Sequence, residues 1–135
     1  MRFFDTNILI YASTDQDPRK GEIAREVIGH AMRVNHDGCI STQVLSEFCN
    51  TMLGKLRHDR ESVDGFLDYY RELVATDVTI DLVRRAIDVQ EEYGIQYYDA
   101  LIVATAEKLG CHEIVSEDFN AGQIYRGMVA INPFG

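Results

Sequence analysis

Short apolar segments alternate with longer stretches of helical periodicity along most of this chain. Strands that alternate with helices need crossover connections, which place parallel strands in one sheet with helices on both faces. The pattern therefore predicts an α/β fold with a central parallel sheet. We expect strands at 2–5, 38–41, 76–80, 113–117 and 129–132, and helices at about 20–34, 42–56, 63–74, 82–93 and 99–110.

The length predicts one domain. A chain of 135 residues is long enough for one hydrophobic core and too short for two domains of ordinary size, so we expect a single domain over residues 1–135. No segment approaches the ~18 to 20 apolar residues of a membrane span. The apolar beginning also lacks the basic lead and cleavage pattern of a signal peptide. We therefore expect no association with a membrane.

The cysteines and histidines bear on location and on metals. Three cysteines (Cys39, Cys49 and Cys111) are odd in number and lack CxxC spacing, which favours a reducing cytoplasm. The four histidines form neither an HxxxH motif nor a His/Cys quartet. No zinc site is predicted, although Cys111 and His112 are adjacent.

The charge of the chain is strongly acidic. A formal net charge of −9 argues against a general polyanion binder with a broad basic surface, so any contact with nucleic acid must be local. Two basic groups are candidates for such a contact, although a solvated helix face is the more ordinary interpretation of each. They are the cluster of Lys55, Arg57, His58 and Arg60 and the pair Arg84 and Arg85.

Carboxylates stand where the predicted strands end. Asp5 interrupts the apolar run of MRFFDTNILIYAS, and burial of an unpartnered carboxylate costs several kcal/mol. In open α/β sheets, ligands bind beyond the carboxyl ends of the strands, where the strand order reverses. Four regions of the chain place an acid near that edge, so we expect their side chains to share one pocket. These acids are Asp5, Glu47, Asp99, and Asp118 with its neighbour Glu117.

Each acid also has a simpler explanation. Asp5 suits the N-cap of a short helix that would start near Asn7, and Asp99 suits the N-cap of the helix expected at 99–110. Asp118 suits the start of a turn. Glu47 lies on the flank of its helix, where periodicity alone predicts a surface residue.

Taken together, the acids indicate a metal site. Several carboxylates within a few ångströms repel one another unless a cation neutralises them. Carboxylate oxygens favour Mg²⁺ or Mn²⁺, and such ions support hydrolysis of phosphodiesters by activating water and offsetting charge on phosphoryl oxygens. The acids therefore predict a Mg²⁺- or Mn²⁺-dependent phosphodiesterase.

Four segments carry a resemblance to a known family. FFDTNILIYA at 3–12, STQVLSEF at 41–48, YYDALIVATAEKLGC at 97–111 and VSEDFNAGQIYRGMVAINPF at 115–134 together resemble a PIN-domain nuclease, with most similarity to VapC toxins of type II toxin-antitoxin pairs. The resemblance implies a PIN-like three-layer α/β/α sandwich with a central parallel sheet of four to five strands. It also implies a metal-dependent endoribonuclease that cuts single-stranded or loop RNA.

The resemblance assigns roles to individual residues and implies partners. The four metal-binding acids correspond to Asp5, Glu47, Asp99 and Asp118. Thr6 or Asn7, and Ser116, match positions that support the acids through hydrogen bonds, and Glu117 either adds a ligand or faces solvent. The implied partners are a second copy of the chain and an antitoxin whose basic C-terminal segment crosses the acidic pocket.

Other classes of protein remain open at this point. A PIN domain outside a toxin pair would process RNA, and an inactive one would only bind a basic peptide in its acidic pocket. A phosphoacceptor signalling domain also collects acids at strand ends, but it needs a lysine after the last strand of the site, and no lysine follows Lys108. The related phosphatases need a second aspartate at the position of Asn7.

Overall fold

A computed structural model describes residues 1–135 of the chain, which form six strands and six α-helices. The strands are β1 (Arg2–Phe4), β2 (Gly38–Ser41), β3 (Val74–Thr76), β4 (Glu113–Val115), β5 (Ile124–Tyr125) and β6 (Met128–Ile131). The helices are α1 (Thr6–Ser13), α2 (Pro18–Arg33), α3 (Thr42–Asn50), α4 (Arg60–Tyr70), α5 (Ile80–Tyr93) and α6 (Tyr97–Lys108). A π-helical turn at Thr51–Lys55 extends α3, and a 3-10 turn at Arg71–Leu73 precedes β3.

The six strands form one sheet in the order β3-β2-β1-β4-β6-β5. Neighbours from β3 to β6 are parallel, and only β5 runs antiparallel, beside β6. This arrangement confirms the predicted three-layer α/β/α sandwich, with five parallel strands and one short antiparallel strand that was not predicted. The chain moves from β1 to β2 on one side and returns to β4 on the other, so the strand order reverses at β1.

The core explains why β1 and α6 occupy the centre. Phe3 and Phe4 of β1 are fully buried. In α6, all seven residues from Ala100 to Ala106 are buried, as its nearly continuous apolar sequence predicts. Gly38 at the start of β2 allows α2 to approach the sheet, because a Cβ atom there would lie 2.9 Å from the Ala31 Cβ of α2 and 2.6 Å from the Phe4 ring of β1. These elements hold the carboxyl ends of β1 and β4 side by side.

Two local predictions are wrong, and one strand was not predicted. The strand expected at 76–80 ends at Thr76, because the Thr79 hydroxyl caps α5 by accepting from the Leu82 N–H at 3.2 Å. The sequence offers Thr42 as the N-cap of the helix expected at 42–56, but α3 takes Ser41 instead. Strand β5 turns back into β6 through Arg126 and Gly127, both at positive φ, and an arginine in that conformation is not a recognisable turn signal.

Two other features of the helices bear on the predictions. Gly94 ends α5 in the left-handed conformation expected from the sequence, with φ of 63°. No helix of the chain combines the length and the apolarity that crossing a membrane requires.

Candidate active site

A polar pocket of about 270 Å³ opens at the carboxyl end of the sheet. Only three of its 13 lining residues are hydrophobic. Asp5 follows β1, Glu47 projects from α3, Asp99 lies in the first turn of α6, and Asp118 follows β4. The structure therefore brings together the four acids that were expected to share one pocket.

Asp5 is buried and firmly held. It is the N-cap residue of α1, and its Oδ1 accepts a hydrogen bond of 2.7 Å from the Thr6 N–H. Its Oδ2 accepts from the Ser116 hydroxyl at 2.7 Å. Capping and a position in the pocket are thus not alternatives for Asp5, since one carboxylate oxygen serves the helix and the other belongs to the pocket network.

Asn7 connects the two ends of the chain within this pocket. Its Nδ2 lies 3.3 Å from Asp5 Oδ2, 3.2 Å from Ser116 Oγ and 3.1 Å from Asp118 Oδ2. Its Oδ1 accepts from the Glu117 N–H at 3.3 Å. The amide therefore fixes the position of Asp5 relative to Asp118, which is exposed at the mouth of the pocket.

The other predicted supporting residues differ in how they act. Ser116 is 1% exposed, donates to Asp5 and accepts from the Asp118 N–H at 3.0 Å. Thr6 contributes its backbone N–H to Asp5, whereas its own buried hydroxyl has no hydrogen-bond partner. Ser116 and Asn7 therefore carry the side-chain support.

Asp99 is not the N-cap of α6. The helix begins earlier, at Tyr97, and Gln96 caps it by accepting from the Asp99 N–H at 3.1 Å. The capping interpretation of Asp99 is therefore wrong, because a neighbouring side chain already performs that role. The half-buried Asp99 carboxylate lines the pocket instead.

Glu47 is held by a residue that the sequence analysis did not identify. Gln43 lies one turn earlier on α3, and its Nε2 donates to Glu47 Oε1 at 2.6 Å and to the Tyr98 carbonyl at 3.0 Å. Gln43 thereby ties α3 to the start of α6. The spacing of four residues on a helix is the only sequence signal for this pairing.

Glu117 is half-buried, and its carboxylate is already paired with a lysine. It forms an ion pair with Lys20 of α2, which also lies 5.0 Å from the centre of the Tyr11 ring. Burial opposes the charge of Glu117, but hydrogen bonds from Lys20 and Tyr11 outweigh it and lower the pKa of Glu117. Glu117 borders the pocket as a residue committed to Lys20.

Without a cation, the charged forms of three other acids in the pocket are disfavoured. Burial raises the pKa of Asp5 to about 7, with smaller effects of the same sign from Asp99 and Glu47. Burial also raises the pKa of Glu47 and of Asp99, and neighbouring carboxylates add to both increases. A positive charge in the pocket would relieve this repulsion.

The donor set fits a small, hard divalent cation. As the side chains stand, no three His, Cys, Asp or Glu residues are close enough together to hold one ion. Mg²⁺ usually binds proteins through one or two carboxylates and keeps several waters, so a shared pocket of spaced carboxylates satisfies its requirements. Asp5, Glu47, Asp99 and Asp118 are the residues that could contribute oxygen ligands.

Several other residues line the pocket. Tyr11, Gln16, Thr51 and Lys55 surround the acids. Lys55 belongs to the basic cluster identified from the sequence, and the π-helical turn places it at the pocket. The sequence did not identify Tyr11 and Gln16 as pocket residues, because neither is an acid or a supporting residue of the pattern that pointed to this edge.

Comparison with known proteins identifies the fold independently. The model of a family described as the PIN domain matches residues 2–127. A chain from a toxin-antitoxin complex of Klebsiella pneumoniae has a TM-score of 0.69 and 19% identity, with 98% of each chain covered. Mycobacterium tuberculosis VapC20, a toxin that cleaves the sarcin-ricin loop, has a TM-score of 0.67 and 19% identity, with 84% of this chain and 87% of that chain covered.

A third solved structure also has a similar fold. A chain of VapBC2 from Rickettsia felis, bound to a DNA fragment from its promoter, has a TM-score of 0.59 and 17% identity, with 96% of each chain covered. No curated protein sequence matches the chain. At these identities the structural similarity establishes the fold.

Proposed function

Because this chain belongs to the PIN domain family, we propose that it is a Mg²⁺- or Mn²⁺-dependent endoribonuclease that hydrolyses phosphodiester bonds in single-stranded or loop RNA. The observation that carries the proposal is the pocket itself. Carboxylates from four separate segments, spread over most of the chain, line one polar opening at the reversal point of the sheet. Such an arrangement has little value for stability, because the acids repel one another.

Each group of pocket residues has its own proposed role. Asp5, Glu47, Asp99 and Asp118 would hold the cation, which would supply activation of water and charge compensation on the phosphoryl oxygens. Ser116 and Asn7 keep Asp5 in one orientation through hydrogen bonds of 2.7 and 3.3 Å. Gln43 orients Glu47 from the opposite side of the pocket. Lys55 offers a positive charge to a phosphate group that enters the pocket.

We propose in addition that the chain is the toxin of a type II toxin-antitoxin pair. Structures of similar fold include chains from toxin-antitoxin complexes, and VapC20 is a toxin that cleaves the sarcin-ricin loop. An acidic pocket also suits an antitoxin with a basic C-terminal segment, because an arginine or lysine makes charge-assisted hydrogen bonds with carboxylates.

A homodimer is the proposed assembly. One side of the molecule exposes several large apolar side chains from α5 and its surroundings, and an unpaired apolar surface of this kind is typical of an interface. These side chains are Val78, Ile80, Val83, Ile87 and Tyr98. Ile80 is 75% exposed, so a second copy of the chain would remove substantial apolar area from water.

We propose a single domain over residues 1–135 and a cytoplasmic location, consistent with three free thiols.

Cleavage of a defined single-stranded RNA by the purified chain tests the nuclease proposal. We expect cleavage with Mg²⁺ or Mn²⁺ and none in EDTA. Asp99→Asn should abolish cleavage while the protein remains folded, whereas Asp88→Asn, which changes an exposed acid on α5, should leave it intact.

The controls distinguish the remaining possibilities. Purified activity that persists in the chelator, or an Asp99→Asn variant as fast as the wild type, would contradict the mechanism. A titration with Mn²⁺ that shows binding by the wild type and none by Asp99→Asn, together with no cleavage of any RNA, would instead indicate an inactive binding module. Cleavage by a chain that has no small inhibitory protein encoded beside its gene would favour an RNA-processing role.

A further inference from the structure

Two cysteines outside the pocket lie in contact inside the sheet. The Sγ atoms of Cys39 and Cys111 are 3.4 Å apart, although 72 positions separate the residues along the chain. Cys39 belongs to β2, and Cys111 lies in the turn between α6 and β4. Their exposed fractions are 1% and 8%. The third cysteine, Cys49 on α3, has no such partner.

We propose that Cys39 and Cys111 are a modification site: they form a reversible intramolecular disulfide when the folded protein meets a hydroperoxide. Both thiols are reduced in the structure, and their sulfur atoms are in van der Waals contact at 3.4 Å. Closing this gap to a bond of about 2.05 Å requires the two side chains, and the segments that carry them, to move toward each other. In a reducing compartment such a pair stays in the dithiol form until an oxidant appears.

The two thiols are chemically unequal, which suits a two-step oxidation. The hydrogen bond between the two thiols lowers the pKa of Cys111, against the effect of burial, whereas the same hydrogen bond and burial raise the pKa of Cys39. Cys111 is also the more exposed of the two. Cys111 is therefore the attacking sulfur, and Cys39 is the resolving one.

The reaction balances with one hydroperoxide. The Cys111 thiolate attacks one peroxide oxygen, the O–O bond breaks, and the other oxygen leaves and takes a proton, which produces a sulfenic acid on Cys111. The Cys39 sulfur then attacks the sulfenic sulfur, the S–O bond breaks, and water leaves with the thiol proton. The two sulfurs lose two electrons in total, and hydrogen peroxide becomes two water molecules.

The bond would act on stability rather than on the pocket. Cys39 faces Phe3 in the register of β1 and β2, and Cys111 precedes β4 on the other side of β1. The link would therefore span the central strand near its amino-terminal half, whereas the acids follow the carboxyl ends of the strands. The inference is independent of the proposed nuclease activity.

Oxidation of the folded wild-type chain, compared with the same chain in urea, is the first test. After treatment with hydrogen peroxide and blocking of free thiols, peptide mapping should show Cys39 linked to Cys111, with Cys49 blocked. In urea, loop-closure entropy favours the shorter loop, so a Cys39–Cys49 link should exceed Cys39–Cys111 on the order of tenfold. A folded sample without the Cys39–Cys111 link, or with the urea distribution, would overturn the proposal.

Thermal unfolding provides the second test. Oxidised wild type should unfold roughly 5–15 °C higher than the reduced protein, and a thiol reductant should reverse the shift. Cys49→Ala should behave in the same way, whereas Cys39→Ala and Cys111→Ala should show no shift on oxidation. If Cys49→Ala showed no shift, or either of the other variants kept it, the assignment of the pair would be wrong.

Discussion

Asn7 Nδ2 lies 3.1 Å from Asp118 Oδ2, so the first helix and the segment after β4 are joined across 111 positions of sequence. The same nitrogen lies 3.3 Å from Asp5 Oδ2. One neutral amide thus bridges a buried carboxylate and an exposed one. It places one hydrogen-bond donor between them and thereby holds the two segments that carry them together.

Replacement of Asn7 should loosen the pocket without unfolding the protein. In Asn7→Ala, Asp118 loses a hydrogen bond to a side chain, and we expect cleavage of RNA to fall roughly 10- to 100-fold, the usual effect of removing a residue that orients metal ligands. Asn35→Ala removes an exposed asparagine that makes no side-chain hydrogen bond and is the matched control. Equal cleavage by Asn7→Ala and wild type would show that the bridge has no role in activity.

The buried Asp5 carboxylate should make stability depend on pH in the absence of metal. The pKa of Asp5 is about 7 in the folded chain, above the ordinary value of 3.8. Between these two pH values Asp5 is therefore charged in the unfolded chain but still protonated in the folded chain. The contribution of protonated Asp5 to the free energy of unfolding is therefore fully present below pH 4 and is lost as the pH rises through 7. Above that pH the loss amounts to roughly 4 kcal/mol at most.

Asp5→Asn tests this dependence directly. Asparagine keeps the ability to cap α1 but carries no charge. Urea denaturation in EDTA should show the variant at least as stable as wild type at pH 8, with an advantage that shrinks toward pH 4. The variant should also be inactive on RNA. A stability difference that did not vary between pH 4 and pH 8 would contradict the assigned pKa of Asp5.

The same carboxylate should couple cation binding to proton release. A cation that binds charged Asp5 must displace the proton held near pH 7, so the affinity for Mg²⁺ should decrease on acidification below pH 7, by up to about tenfold per pH unit. Calorimetric titration in two buffers of different ionisation enthalpy measures the released protons. Proton release that was unchanged in Asp5→Asn would assign it to another group.

The residues of the pocket differ in how strongly the sequence predicts their place in it. Asp5 and Asp118 follow strands that the apolar pattern predicts, and their convergence follows from the general rule for open sheets. Glu47 has no such signal, because a half-buried glutamate on a helix flank has the same periodicity as a surface residue. Its place on the helix that leaves the second strand put it near this edge, and the resemblance to the PIN domain then assigned it a role as a metal ligand.

The errors in the predicted fold arise where polar side chains compete for a helix start. Thr79 could extend an alternating strand or cap a helix, and the cap prevails because it satisfies the Leu82 N–H. The sequence favoured Asp99 as an N-cap for the same reason, but α6 begins earlier, and Gln96 caps it by accepting from the Asp99 N–H. Such competition depends on packing of the whole helix, which a single sequence does not reveal.

Gln43 should affect activity through Glu47. In Gln43→Leu, Glu47 loses the hydrogen bond that lowers its pKa, so the carboxylate becomes harder to charge and less well oriented. We expect about a tenfold loss of cleavage, with partial recovery at higher pH. Ser46→Ala, on an exposed position of the same helix, should have wild-type activity. A loss of activity in Gln43→Leu that was identical at every pH would indicate a purely structural effect.

The basic cluster should contribute to RNA binding through salt-dependent interactions. Lys55 and Arg57 are exposed, and Lys55 lines the pocket. In Lys55→Ala combined with Arg57→Ala, the slope of log affinity against log salt should decrease by about 1 for each phosphate that the variant no longer neutralises. Arg71→Ala changes an exposed arginine that does not line the pocket and serves as the control. An unchanged slope in the double variant would exclude this surface from RNA binding.

The position of β1 in the sheet has a consequence for how the protein is made. The ribosome synthesises this strand before its neighbour β4, and Ser116 and Asp118, which bind Asp5 and Asn7, follow β4. A nascent or prematurely terminated chain that lacks them cannot assemble the pocket. The proposed nuclease activity therefore begins only after translation has passed position 118, which protects the message while the preceding codons are read.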